Sequence, residues 1–343
     1  MEKLIEVKDL HVSFHTYAGE VKAVRGVSFD IAKGEVVGIV GESGCGKSVT
    51  SSAIMRILQT PPAEYKKGEI IMEGRDLLRL SEKEMQKVRG REIGMIFQDS
   101  MASLNPTMKV GSQIAEVIRR HQKVSQAAAK AQALEMLRIV GISNPQARMS
   151  QYPHEFSGGM RQRAMIAIAL ALRPKLLIAD EPTTALDVTI QAQILNIMLD
   201  LKDQFGSSVM LITHDLGVVA ETCNRVAVMY AGQITEKGTG KNIFRNPKHP
   251  YTEGLLLSVP NMKMDRTKVL EPIIGSPPDL FSPPVGCPFY ARCKYAMRIC
   301  KEHMPDFLPI PEPDGSEHYA ACWRNSPEYQ FHQTSTKAVI SHD

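Results

Sequence analysis

The stretch from Val36 to Thr50 constrains this chain more than any other. Val36-Val37-Gly38-Ile39-Val40 is apolar apart from one glycine and rich in β-branched residues, which reads as a short buried strand. Gly41-Glu42-Ser43-Gly44-Cys45-Gly46-Lys47-Ser48 follows at once and matches the phosphate-binding pattern G-x-x-x-x-G-K-[ST]. Such a loop curls so that its N–H groups face phosphate oxygens, and the helix it opens adds further amides and a favourable dipole. The candidate phosphate contacts are therefore Gly41, Ser43, Gly44, Cys45, Gly46, Lys47, Ser48 and Val49. Lys47 is placed to reach the β- and γ-phosphates and the Ser48 hydroxyl to hold Mg²⁺. Cys45 reads as a small residue in a tight loop, with no redox role.

The rest of the chain alternates strand and helix patterns around this stretch, as in an α/β fold. Residues 4–40 read as β-structure, with Val27, Phe29 and Ile31 in period-two alternation. Phe14 and Tyr17 are aromatic candidates for stacking on a nucleotide base. Ser81-Glu82-Lys83-Glu84 is a capping box that predicts a short helix. Ile93 to Phe97 reads as a buried strand ending at Gln98, at the carboxyl edge where α/β sheets bind ligands. Residues 113–121 and 125–140 read as two helices with no strand between them, a helical insertion within about 103–165. Ser157-Gly158-Gly159 then exposes backbone amides at the start of an apolar helix, a second potential phosphate cradle.

Two further strand ends carry polar groups. Lys175 to Ala179 reads as a strand ending in Asp180-Glu181. An acid at a strand end, paired with a phosphate loop, suits Mg²⁺, so Asp180 is the expected metal-side acid. Glu181 is the expected polariser of the attacking water. Asp187 precedes a helix to about Phe205, and the strand Val209–Thr213 ends at His214, a candidate γ-phosphate sensor.

Bulk properties narrow the partners. The net charge is only +4, and no strongly basic stripe points to nucleic acid. The N-terminal residues carry no apolar signal segment, and the longest apolar run, 164–172, is too short to span a bilayer. A soluble cytosolic protein is expected. Residues 245–313 hold 13 of the 21 prolines and are expected to wrap the core as loops. Cys287, Cys293, Cys300 and Cys322, separated by five, six and 21 residues, suit a soft metal, although no C-x-x-C pair marks a zinc ribbon. His249, His303 and His318 nearby read as surface residues, and residues 325–343 as a frayed tail.

In order, the phosphate loop, Gln98, the Ser157-Gly158-Gly159 signature, Asp180-Glu181, Asp187 and His214 resemble the nucleotide-binding subunit of an ABC transporter over residues 4–240. The resemblance implies an ABC-type P-loop ATPase domain over 1–244 with a helical subdomain. It implies two domains paired head to tail around ATP, each site completed by the other subunit's signature. It also implies nucleotide contacts from Phe14, Gln98, Asp180 and Asp187, Mg²⁺ held by Ser48, Gln98 and Asp180, and catalysis by Lys47, Gln98, Glu181 and His214. The signature departs from the commonest form at Phe156 and Met160.

Lys248 to Leu256, Gly275 to Leu280 and Gly286-Cys287-Pro288-Phe289 resemble the C-terminal extension of dipeptide and oligopeptide importer ATPases, here 245–324. That implies a subunit peripheral to the cytoplasmic face of the membrane. Its implied partners are a second homologous ATPase in a heterodimer, two integral membrane permease subunits and an extracytoplasmic peptide-binding protein. It further implies a 4Fe-4S cluster on the four cysteines, with zinc or no metal as alternatives. A nickel, glutathione or other small-solute importer shares the extension. A soluble ABC ATPase of translation or DNA repair is a separate alternative.

Overall fold

The computed structural model describes residues 2–99, 103–184, 187–258 and 272–327. Two sheets organise it. β1 (Lys3–Thr16), β2 (Gly19–Ala32), β4 (Ala63–Met72) and β5 (Arg75–Asp76) form an antiparallel sheet in the order β2-β1-β4-β5. With β10 (Gln233–Thr239), β11 (Leu308–Pro309) and β12 (His318–Ala320), the second sheet has the order β11-β12-β10-β9-β3-β8-β7-β6. In it β3 (Val36–Val40), β6 (Ile93–Ile96), β7 (Leu176–Asp180), β8 (Ser208–Ile212) and β9 (Arg225–Tyr230) run parallel.

Apart from polar residues at their ends, Asp180, Ser208 and Arg225, the parallel strands are apolar or glycine because both of their faces are covered. Ile39, Ile178, Met210 and Ile212 enter the core shared with the antiparallel sheet. Leu177, Ala179, Val209 and Leu211 enter a second core, built with the helices. Alternate residues of one strand thus serve two cores.

Helices fill the connections. α1 (Lys47–Met55) follows the phosphate loop. α2 (Glu82–Val88) begins at the expected capping box: Ser81 N–H donates to Glu84 Oε2 at 2.7 Å. α3 (Val110–His121), α4 (Gln126–Ile139), the short α5 (Pro145–Arg148) and α6 (Gly158–Leu170) follow β6 without an intervening strand among the described residues. α7 (Val188–Phe205) and α8 (Leu216–Thr222) flank β8.

The C-terminal residues differ from the loop wrapping expected of a proline-rich segment. β10 (Gln233–Thr239) leads to α9 (Gly240–Arg245) and α10 (Pro250–Leu257), with α11 (Arg298–Glu302) further on. β12 (His318–Ala320) pairs antiparallel with β10, and β11 (Leu308–Pro309) pairs with β12. The proline-rich chain therefore continues the main sheet. The tail expected over 325–343 lies outside the described residues from position 328 onward.

Two of the three histidines read as surface residues are buried; His303 alone is exposed. His318 sits between Glu312, 2.6 Å from Nδ1, and Glu236, 2.8 Å from Nε2. His249 caps α10 by accepting from Tyr251 N–H at 3.1 Å, while Glu236 accepts its backbone N–H at 2.9 Å. Local pattern carries no sign of this burial, because the Glu236 contacts join segments far apart in the chain.

The His249 environment sets a pH dependence. Burial pushes its pKa down to about 4, opposed by Glu236 and reinforced by Arg324. The folded state therefore binds fewer protons here than the unfolded chain, whose imidazole titrates near 6.5. The stability it contributes is complete above about pH 6.5 and is lost as pH falls towards about 4. His249→Asn keeps an acceptor for the helix cap and removes the titration. Denaturation midpoints measured between about pH 7 and pH 4 are expected to fall more steeply for the wild type than for this variant.

Candidate functional site

Four parallel strands deliver polar groups to one edge of the sheet, as the rule for α/β folds requires. β3 runs into the phosphate loop, β6 into Gln98, β7 ends at Asp180 and β8 leads to His214. Glycine is sterically required in the loop. A Cβ on Gly41 would lie 2.2 Å from the Met229 carbonyl oxygen, and one on Gly46, at φ +100°, would lie 2.5 Å from that of Ala23. Gly46 is also the N-cap of α1, with no side chain to cap it, so the first amides of the helix are left for an anion. Ser43, Gly44 and Ser48 are exposed, Val49 is partly buried, and Cys45 is buried.

Lys47 is buried and folds back on the loop, its Nζ donating to the carbonyls of Gly41 at 2.8 Å and Glu42 at 2.9 Å. Ser48 Oγ donates to Asp180 Oδ1 at 3.0 Å and Ser51 Oγ to Asp180 Oδ2 at 3.2 Å. Burial raises the Asp180 carboxyl above its ordinary range, against the pull of these two hydroxyls. A buried carboxylate beside a hydroxyl is a hard oxygen donor set that suits Mg²⁺. Ser51, one helical turn after Ser48, escaped sequence reading although the spacing places both on one face of α1.

Glu181 is the hub of the other half. Its Oε2 accepts from Gln98 Nε2 at 2.9 Å and from Thr184 Oγ1 at 2.9 Å, and it lies 3.6 Å from His214 Nδ1. Its backbone sits at φ +46°, a left-handed conformation that costs a non-glycine residue on the order of 1–3 kcal/mol. The backbone N–H of Glu181 also donates to the Ile212 carbonyl at 2.8 Å, so β7 and β8 hold the strained residue in place. Thr184 is a second residue the sequence did not single out.

The remaining candidates lie elsewhere. Ser157 caps α6, accepting from Met160 N–H at 3.4 Å, and is exposed; Gly158 and Gly159 form the first turn. A Cβ on Gly159 would stand 3.1 Å from the Ile190 side chain, which holds α6 close to α7. Asp187 is exposed and caps α7, accepting from Ile190 N–H at 2.9 Å. Phe14 packs partly against the first core from β1, whereas Tyr17 is fully exposed at the turn into β2.

The expected iron–sulfur cluster is not supported, nor is zinc at the same cysteines. Among the described residues no group of three or more His, Cys, Asp or Glu side chains is arranged to hold a metal ion. Cys287, Cys293, Cys300 and Cys322 are free thiols that line one small cavity of about 20 Å³ with Phe289, Tyr295 and other side chains. Burial pushes the Cys287 thiol up to about 12 and that of Cys322 up to about 11, and it raises Cys293 as well. The spacing alone could not separate a packed thiol from a ligand.

Comparisons with known proteins agree with this geometry. Residues 24–184 match the family model described as ABC transporter, and residues 235–300 match that of the oligopeptide/dipeptide transporter C-terminal region. The chain is 59% identical to the oligopeptide transport ATP-binding protein OppD of Bacillus subtilis, over 95% of this chain and 90% of that one. It is 54% identical to the dipeptide transport ATP-binding protein DppD of the same organism, over 100% of this chain and 99% of that one. Among solved structures, the ADP- and phosphate-bound dimer of the ATP-binding cassette MJ0796 matches at 26% identity and a TM-score of 0.62. The match covers 68% of this chain and 98% of that one. No helix among the described residues is long and apolar enough to cross a membrane. Phosphate loop, strand-end acids and C-terminal region thus agree with relatives that match over nearly the whole length, and the chain belongs to the ATP-binding subunits of oligopeptide and dipeptide ABC transporters, a family of ATPases that works with membrane permeases.

Proposed function

We propose that this chain hydrolyses ATP to power the import of dipeptides or oligopeptides from the cytoplasmic face of a membrane. The observation that carries the reading is the convergence of Lys47, Ser48, Asp180, Glu181, Gln98 and His214 on one sheet edge. Relatives named as oligopeptide and dipeptide transport proteins supply the substrate class.

The loop amides and the α1 N-terminus bind the phosphates, and Lys47 leaves the Gly41 and Glu42 carbonyls to meet the β- and γ-oxygens. Ser48, Gln98 and Asp180 would hold Mg²⁺, which would neutralise phosphate charge when bound. Glu181 orients the attacking water and accepts its proton, with Gln98, Thr184 and His214 fixing the carboxylate. Phe14 contributes the stacking ring for the base. Ser157, Gly158, Gly159 and Asp187 serve the site across a head-to-tail pair, so closure of the pair on ATP drives the permeases. The second ATPase is a related chain, two membrane permease subunits complete the channel, and an extracytoplasmic binding protein delivers the peptide.

Lys47→Ala tests the reading at its base. The loop then lacks its only side-chain cation, and ATP affinity of the purified chain is expected to fall by about tenfold or more, with hydrolysis lost. In cells lacking the wild-type gene, the variant is expected not to restore peptide uptake. Restored uptake would refute the proposal.

A further inference from the structure

Glu42, the second residue of the phosphate loop, is held by the C-terminal part of the chain. Its carboxylate accepts from both terminal nitrogens of Arg292, at 2.6 Å and 2.9 Å. Its backbone N–H donates to Tyr251 Oη at 2.7 Å. A two-pronged guanidinium–carboxylate pair fixes direction as well as distance.

The two gripping residues are themselves rigid. The Arg292 side chain is only 6% exposed. Its Nη1 donates to Tyr230 Oη at 3.2 Å, its Nη2 to the Ile273 carbonyl at 3.3 Å and its Nε to the Ile274 carbonyl at 3.2 Å. Tyr251 is fully buried, its ring 4.5 Å from that of Tyr230 and 5.4 Å from that of Phe289. Both residues belong to the stretch after β10, which takes no part in the ATP chemistry described above.

On the other side, the Glu42 carbonyl receives Lys47 Nζ at 2.9 Å. Arg292 and Tyr251 therefore hold the residue on whose carbonyl Lys47 rests before it moves to phosphate. We infer that Arg292 and Tyr251 are positioning residues for nucleotide binding: they hold the Glu42 arm of the phosphate loop in its binding shape, so the C-terminal region sets ATP affinity. This inference rests on the loop being the ATP site, as proposed above. Neither residue contacts the reacting atoms; their effect passes through Glu42. Without the clamp, the loop must be ordered by the nucleotide itself, and that cost weakens binding. Chemistry in the filled site is left nearly unchanged.

The test uses the full chain, Mg-ATP binding by calorimetry and steady-state hydrolysis. Arg292→Ala is expected to raise the ATP dissociation constant and KM about tenfold while kcat stays within about twofold. Tyr251→Phe keeps the ring in its cluster and removes only the hydroxyl; it is expected to raise both about threefold. Arg292→Lys is expected to recover part of the loss. Glu42→Gln combined with Arg292→Ala is expected to be no weaker than Arg292→Ala alone, since both break one contact. ATP affinities within about twofold of wild type for both Arg292→Ala and Tyr251→Phe would overturn the inference while leaving the ATP site in place. A loss confined to kcat, or a double variant with the two losses added, would overturn it too. If the wild type fails to bind ATP, or Lys47→Ala binds as well as wild type, the site assignment itself falls and the inference with it.

Discussion

Replacing Glu181 by glutamine is expected to leave ATP binding intact and to lower turnover by ~10²–10⁴-fold, the usual worth of a positioned general base. Glutamine is nearly the same shape, so the hydrogen bonds that hold residue 181 can largely persist after an amide flip. What disappears is the ability to take a proton from water. The geometry of Glu181 suits a base, because Gln98 and Thr184 both donate to one oxygen, Oε2, and so fix the carboxylate. Single-turnover hydrolysis with radiolabelled ATP separates binding from chemistry. A Glu181→Gln chain that kept most of its turnover would move the base elsewhere, with His214, 3.6 Å from Glu181, the next candidate.

The second large effect concerns stability. His318→Ala is expected to destabilise the chain by about 3–5 kcal/mol, the cost of removing one partner from a buried charged group. His318, Glu236 and Glu312 form a triad in which the His318 and Glu236 side chains are inaccessible to solvent. Without the imidazole, two carboxylates face each other in a dry site, and one must take up a proton or the segment must open. Burial pulls the His318 pKa down, but the hydrogen bonds its ring donates to the two carboxylates outweigh it and hold the pKa above its ordinary value. The sign follows from linkage: the stability due to this group is fully present below about pH 6.5 and is lost as pH rises through the raised value. That is opposite to His249. Urea titrations of wild type and variant at about pH 6 and pH 9 read both effects, and the gap between them is expected to shrink at the higher pH. An equal gap at the two pH values would assign the loss to packing alone.

Much of the candidate site was legible because its signals are local. A phosphate loop is fixed by glycine sterics within one short motif, and Asp180, Glu181, Gln98 and His214 each follow an apolar strand whose end must face the ligand edge. Ser157 and Asp187 are legible as residues at the starts of helices for the same reason. What stayed hidden depends on contacts between distant segments. Arg292 reaches Glu42 across 250 positions, and Glu236 meets His318 across 82. Nothing near Arg292 in sequence distinguishes it from a surface arginine. The four cysteines show the converse error. Their number and setting suit a metal, but ligation depends on three-dimensional placement, and among the described residues no such grouping is arranged to hold an ion.

The continuation of the main sheet through β12 and β11 has a consequence for how the protein can be divided. β10 carries backbone donors and acceptors that β12 satisfies from Glu236 to Gly238. A cassette cut after α9 would present that row as a bare edge, next to the apolar surface of Tyr230 and Val228 that the C-terminal residues cover. Open strand edges of this kind recruit other strands. The C-terminal residues therefore act as a guard against self-association, and the end of β10, where the ATPase motifs run out, is not a place where the molecule can be separated into soluble parts.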